Sequence, residues 1–132
     1  MDFIDKIKNK AKQDLKTIIL PETEDVRILK GTEIVLSEQF ANIILLGNEE
    51  NILSLAKKNN INISGAKIID PIKSEKLEEY ASSLYELRKA KGMTKEGAKE
   101  LLLNNSRYFA TMMVKMGDAD GFVSGACNSY IS

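Results

Sequence analysis

The chain has 132 residues and a formal net charge of zero, with 43% hydrophobic and 29% charged side chains. This composition is typical of one globular domain and gives no general attraction to nucleic acid or to anionic membranes. Histidine is absent and cysteine occurs once, at Cys127. Catalytic Ser-His-Asp or Cys-His groups, intrachain disulfides, and metal sites built from histidine or several thiolates are therefore excluded from this chain alone.

No targeting or membrane segment is predicted. The N-terminus lacks the basic and apolar stretches of a secretory signal, and the longest apolar run, residues 43 to 46, is far too short to cross a bilayer. A single cysteine also suits a reducing compartment. We therefore expect a cytoplasmic protein that binds neither membrane nor nucleic acid.

Hydrophobic residues recur alternately at helix and strand spacing along the chain. The pattern predicts helices over residues 2–12, 22–39, 49–58, 74–90, 94–103 and 106–116. It predicts short strands over residues 17–20, 43–46, 66–70 and 121–124. The alternation indicates a single α/β domain over residues 1–132, with a mostly parallel sheet covered by helices on both faces.

The last predicted strand ends at a candidate ligand site. Ser124, Gly125 and Ala126 are small, and the carboxyl ends of parallel strands are where ligands bind in open sheets. Gly125 can also adopt a positive φ. Asn128 or Ser129 is predicted to cap a following helix, whose free N–H groups would favour a phosphate or carboxylate. The alternative, a tight turn with small residues used for packing, is favoured by the pattern alone.

Three further stretches have a structural and a functional interpretation. Residues 118–121, D-A-D-G, resemble part of a calcium loop but lack its remaining ligands, so a polar turn is favoured. Arg88 lies in a basic helix end, where it either complements the helix dipole or contacts an anionic ligand. The acids of residues 21–27 are predicted to cap a helix at the ligand-bearing edge, with Arg27 facing solvent. Cys127 is interpreted as a packing residue.

Four stretches together resemble one enzyme family. They are I-I-L-P-E-T-E-D-V-R at 18–27, A-N-I-I-L-L-G at 41–47, Y-E-L-R-K-A-K-G-M-T at 85–94 and R-Y-F-A-T-M-M-V-K-M-G-D-A-D-G-F-V-S-G-A at 107–126. In this order and spacing they resemble the N-terminal part of phosphate acetyltransferase, over nearly the whole chain. The related phosphate butyryltransferases fit these motifs less well.

The resemblance implies an acyltransferase of acetate metabolism that moves an acetyl group between coenzyme A and inorganic phosphate. It implies two three-layer α/β domains of the isocitrate/isopropylmalate dehydrogenase-like class, with the active site in the cleft between them. Coenzyme A or acetyl-CoA is then a substrate, and no tightly bound cofactor or metal is expected. The family's serine, arginine and aspartate implicated in chemistry lie in the C-terminal part, so no catalytic residue is assigned here. The chain alone is expected to be nearly inactive, with a homodimer or a complementing C-terminal half as partner; the alternative is a non-catalytic binding or regulatory module.

The resemblance also suggests substrate-binding residues. Ser124 and Gly125 match the family's S-G-A turn, which lines the cleft for coenzyme A and phosphate. Arg88 matches an arginine implicated in coenzyme A binding.

The chain departs from the family pattern immediately after this turn. The family usually continues with His-Ser-Thr, where this chain has Asn128, Ser129 and Tyr130. Ser129 is retained, and Asn128 can donate a hydrogen bond but cannot carry a proton at neutral pH. Tyr130 is much bulkier than threonine, which raises the question of whether it obstructs the pocket.

Overall fold

The computed structural model describes residue 4, residues 15–124 and the backbone of residues 128–131. Apart from Ile4, which is helical, the helix predicted over residues 2–12 lies outside the described residues. Gly125, Ala126 and Cys127 also lie outside them. Within the described part of the chain, every helix is too short or too polar to cross a membrane.

Strands and helices alternate along the described chain, as predicted. The strands are β1 (Lys16–Leu20), β2 (Ala41–Leu46), β3 (Lys67–Ile69), β4 (Gly121–Ser124) and β5 (Asn128–Ile131). The helices are α1 (Val26–Glu38), α2 (Glu49–Lys58), α3 (Leu77–Arg88), α4 (Lys95–Asn104) and α5 (Ser106–Lys115), with short 3₁₀ turns at Pro71–Lys73 and Lys89–Lys91. The largest difference in helix bounds is the start of α1 at Val26 rather than at residue 22, because the Asp25 side chain caps the helix. Helix α3 also begins later than predicted, because the Ser74 hydroxyl accepts from the Lys76 amide in a turn that precedes the helix.

The sheet has the strand order β3-β2-β1-β4-β5. The first four strands pair in parallel, and β5 pairs antiparallel with β4. The prediction that Asn128 or Ser129 caps a helix is wrong, because Asn128 pairs with Ser124 and Ser129 with Val123. Antiparallel pairing satisfies the backbone edge of β4 that β1 leaves open. Asn and Ser are common both at helix starts and in turns, so these residue types did not indicate a strand.

Two hydrophobic cores lie on opposite faces of the sheet because successive strand residues point in opposite directions. Ile18 and Leu20 of β1 face α1 and α2, which cover one side. Ile19, between them, packs with buried residues of α3, α4 and α5 on the other side. This arrangement confirms the three-layer α/β prediction.

The D-A-D-G stretch is a structural turn, which confirms the favoured interpretation. The Asp120 carboxylate accepts from the Thr17 amide at 2.8 Å, and the Asp120 amide donates to the Thr17 carbonyl at 2.9 Å. The Asp118 carboxylate accepts from the hydroxyl of Tyr80, and burial together with this contact raises the pKa of Tyr80. Among the described residues, no group of three or more acidic or cysteine side chains could hold a metal ion.

Replacing Asp120 should therefore destabilise the join between β1 and β4. We expect Asp120→Ala to lower the free energy of unfolding by about 1–3 kcal/mol, because the Thr17 amide loses its acceptor. Asp120→Asn should lower it less, since an amide oxygen still accepts. Urea unfolding of the three proteins measures this, and equal midpoints for all of them would contradict the assignment.

Candidate functional site

The carboxyl ends of β1 and β4 form the topological switch point of the sheet. From β1 the chain goes to β2 and β3 on one side, whereas β4 adds to the other side of β1. In open α/β sheets, the crevice at such a point is the usual ligand site. The residues that follow β1 and those that end β4 are therefore the first candidates, as the sequence predicted.

Residues 21–23, immediately after β1, are fixed to neighbouring elements. The Ser106 hydroxyl at the start of α5 donates to the Pro21 carbonyl at 3.0 Å. Thr23 is 4% exposed, and its hydroxyl donates to the Leu46 carbonyl at the end of β2 at 2.7 Å. Because buried hydroxyl groups need such partners, these bonds hold the segment in one position at the sheet edge.

A third bond crosses the switch point itself. The Ser124 hydroxyl, at the end of β4, donates to the carboxylate of Glu22. Ser124 is 6% exposed, and Glu22 is half-buried. The predicted site residue Ser124 is thus joined to a carboxylate that lies 102 positions earlier in the chain.

Gly47, directly after β2, allows the close approach of the Thr23 side chain. Its φ is +150°, and a Cβ atom at this position would lie 2.6 Å from the Thr23 Oγ1 atom. Asn48 then caps α2, since its side chain accepts from the Asn51 amide at 2.9 Å. A side chain at position 47 would therefore displace a group that fixes the sheet edge.

A cleft of about 800 Å³ lies beyond the carboxyl ends of β1, β2 and β3. None of the described residues that line it is basic, and Ser124 and Arg88 are not part of its wall. Its lining is Pro21, Thr23, Glu24, Leu46, Gly47, Asn48, Asn51, Ile52, Leu55, Asp70, Pro71, Ile72, Leu103, Asn104 and Ser106. Apolar side chains alternate there with neutral amides and hydroxyl groups and two carboxylates, so its chemistry suits an uncharged part of a ligand better than a phosphate.

Arg88 contacts the helix that begins at this edge of the sheet. It is the last residue of α3 and is exposed, with its guanidinium carbon 5.7 Å from the centre of the Tyr108 ring. Tyr108 follows Ser106, whose hydroxyl contacts the residue after β1. An arginine over an aromatic face keeps its charge while its orientation is restricted. Its place at the end of α3 fits the helix-dipole interpretation, and its contact with an anionic ligand stays a prediction.

Asp25 caps α1, as the sequence predicted for the acids of this stretch, whereas Glu22 contacts Ser124 instead. The Asp25 side chain caps the helix by accepting from the Arg27 amide at 3.0 Å. The Arg27 guanidinium lies 2.8 Å from the same carboxylate, and this contact lowers the pKa of Asp25. Since the Arg27 side chain is 71% exposed, its interpretation as a solvent-facing partner is confirmed.

The sequence interpretation identified some parts of the site and missed others. Ser124 lies at the switch point, and the backbones of Asn128 and Ser129 lie beside β4. The bond from Ser124 to Glu22 was missed, because nothing in the order of residues pairs a serine with one particular acid of P-E-T-E-D. Gly47 carried a usable signal, since a glycine directly after a buried strand often marks a close backbone approach.

Comparison with known proteins places the chain in a family. Residues 2–132 match the family model described as "Phosphate acetyl/butaryl transferase". The chain is 48% identical over 129 residues to a phosphate acetyltransferase of Acetivibrio thermocellus, and 50% identical over 129 residues to that of Thermoanaerobacterium thermosaccharolyticum. Each match covers 98% of this chain and 38% of the relative. The chain thus spans well under half the length of these relatives and matches their N-terminal part.

Solved structures give the same result. The EutD phosphotransacetylase from Staphylococcus aureus superposes with a TM-score of 0.79 at 41% identity, covering 92% of this chain and 36% of that one. A phosphotransacetylase from Streptococcus pyogenes superposes with a TM-score of 0.80 at 31% identity, covering 95% of this chain and 37% of that one. The chain therefore belongs to the phosphate acetyl/butaryl transferase family.

Proposed function

We propose that this chain forms the N-terminal lobe of a phosphate acetyltransferase, which transfers an acetyl group reversibly between coenzyme A and inorganic phosphate. The observation that carries the proposal is the family match over residues 2–132. Acetyl transfer is favoured over butyryl transfer because the relatives compared above are named phosphate acetyltransferases. We also propose that residues 1–132 are one domain of the isocitrate/isopropylmalate dehydrogenase-like class.

The proposed role of this lobe is to bind substrate. Arg88 supplies a cation for the phosphate groups of coenzyme A, and Ser124, Gly125, Asn128 and Ser129 line the cleft between this lobe and a second lobe. An arginine suits this task because its planar fork donates two parallel hydrogen bonds to phosphate oxygens. Coenzyme A and acetyl-CoA act as substrates, and the proposal includes neither a tightly bound cofactor nor a metal.

The chemistry itself needs further groups. Attack of phosphate on a thioester requires an oriented phosphate and donors for the developing oxyanion, and the reverse reaction requires a base for the thiol. The cleft of about 800 Å³ has no basic residue in its described wall. We therefore assign the catalytic groups to a second lobe, supplied by a complementing C-terminal part or organised in a homodimer. Coenzyme A chemistry and the single cysteine support a cytoplasmic location.

Calorimetry with coenzyme A tests the binding role of this lobe. We expect the 132-residue chain to bind coenzyme A, and Arg88→Ala to weaken binding about tenfold or more, as for loss of a hydrogen bond to a charged group. Arg88→Lys should weaken binding less, because it keeps the charge and loses the fork. Lys115→Ala is the control, since it removes a cation from the other end of α5.

The outcomes separate the proposal from its rivals. Binding that does not depend on Arg88 would move coenzyme A away from the proposed site. Binding without turnover, even after a C-terminal part is added, would favour a regulatory module of the same fold. No heat with coenzyme A, acetyl phosphate or phosphate would contradict a substrate-binding role for this lobe.

A further inference from the structure

The Glu22–Ser124 pair joins the two sides of the topological switch point. Ser124 ends β4, and Glu22 belongs to the segment that follows β1. A serine hydroxyl has one proton, and in this structure it is donated to the Glu22 carboxylate. The oxygen of Ser124 is left with acceptor capacity only.

This arrangement affects what can bind there. A carboxylate accepts hydrogen bonds and donates none, so the pair offers a ligand only acceptor atoms. An anion at Ser124 would lie next to the Glu22 carboxylate, and like charges at such a distance repel. The adjoining cleft adds no compensating cation, because its described lining contains no lysine or arginine.

The neighbouring bonds keep Glu22 in place. Pro21 and Thr23, on either side of it, are held by the Ser106 hydroxyl and by the Leu46 carbonyl. These bonds restrain the backbone on both sides of Glu22, so displacing its backbone would require a shift of the buried Thr23 side chain. The Ser124 hydroxyl is thus directed at the Glu22 carboxylate by residues of this chain alone.

We propose that Glu22 is a positioning residue that orients the Ser124 hydroxyl, so that the end of β4 accepts a hydrogen bond from an uncharged donor rather than binding phosphate. Within coenzyme A, such donors are the amide N–H groups and the thiol S–H of the pantetheine arm. The inference rests on the proposed function and deepens it. In this arrangement the Glu22–Ser124 pair binds the pantetheine arm of coenzyme A, and Arg88 binds its phosphate groups.

Pantetheine and inorganic phosphate serve as probes, because each carries one half of this chemistry. In amide NMR spectra of the chain, pantetheine is expected to shift the Ser124 resonance, whereas phosphate is expected to leave it unchanged. Ser124→Ala should weaken pantetheine binding about two- to tenfold, as for loss of one hydrogen bond, and should leave phosphate affinity unchanged.

Two substitutions of Glu22 separate its charge from its geometry. Glu22→Gln keeps an acceptor for the Ser124 hydroxyl, so pantetheine affinity should stay within about twofold while the end of β4 becomes more accepting of phosphate. Glu22→Ala should weaken pantetheine as much as Ser124→Ala does, and the double variant should lose no more, because the two residues act as a unit. Glu38→Gln, an equal charge change at the far end of α1, is the control.

A phosphate-induced shift of Ser124 in the unmodified chain would overturn the inference, as would pantetheine binding that ignores Ser124 and Glu22 or fails to occur. If coenzyme A still binds through Arg88 in those cases, the proposed function survives and only the inference fails. If Ser124→Ala does not fold, the phosphate response of Glu22→Gln decides: unchanged phosphate binding would contradict the role of the carboxylate.

Discussion

With acetyl-CoA and phosphate, the 132-residue chain alone is expected to release coenzyme A roughly 10³-fold or more slowly than a complete family member. Loss of one oxyanion donor already costs about 10²–10³ in rate in well-studied enzymes, and this lobe lacks an assigned oxyanion donor and base. The chain spans 38% of the length of its Acetivibrio thermocellus relative, so most of that enzyme has no counterpart here. Thiol release followed with a chromogenic reagent measures the difference.

Mixing this chain with the remaining part of a relative tests where the catalytic groups lie. The part of the A. thermocellus relative that this chain does not match, expressed separately, should be inactive alone and should gain activity when this chain is added. Arg88→Ala should reduce the restored rate at low coenzyme A concentration, whereas Lys115→Ala should not. Rapid turnover by the unmixed chain would show that the catalytic groups lie within these 132 residues and would refute their assignment to a second lobe.

The sequence predicted the fold well because its strands are short apolar runs bounded by residues that end regular structure, such as proline and glycine. Pro21 was predicted to stop β1 and Gly47 to stop β2, and the two strands end at the residues immediately before them, Leu20 and Leu46. Burial on both faces explains why these strands read as continuous apolar runs rather than as alternating patterns. The helix over residues 2–12 stays a prediction.

The strand β5 could not be predicted, because Asn128 and Ser129 have low strand propensity and are common at helix starts. What decides their structure is the open edge of β4, which is a property of the assembled sheet. Local sequence carries no information about which strand edges remain unpaired. The same limit applies to the order β3-β2-β1-β4, which creates the switch point.

In the candidate site, too, the sequence predicted a residue but not its long-range contact. Ser124 was predicted from a general rule about strand ends, and the structure places it at the switch point. Its bond to Glu22 depends on a contact across 102 positions, which no local pattern contains. The roles of Gly125, Asn128 and Ser129 stay proposals, since the structure describes only the backbone of the latter two and not the first.

Gly47→Ala is expected to lower the free energy of unfolding by about 3 kcal/mol, the sum of a strained positive φ and overpacking against a buried group. The new Cβ atom would lie 2.6 Å from the Thr23 Oγ1 atom and 3.2 Å from the Ile52 Cδ1 atom. To make room, the Thr23 hydroxyl must leave the Leu46 carbonyl, which removes one of the bonds that fix residues 21–23. Coenzyme A affinity should therefore fall together with stability.

Gly92→Ala is the matched control, because it introduces the same methyl group at a positive φ without a clash. Gly92 has φ +89°, and a Cβ atom there would meet no heavy atom within 4 Å. Its cost should be about 1–2 kcal/mol, the strain of the left-handed region alone. Urea unfolding of both variants gives the difference, which reflects the crowding of the new methyl group against Thr23 and Ile52 at the end of β2. Equal losses would mean that the loop after β1 yields to the added methyl group, and that the edge of the site is not held by the Thr23 bond.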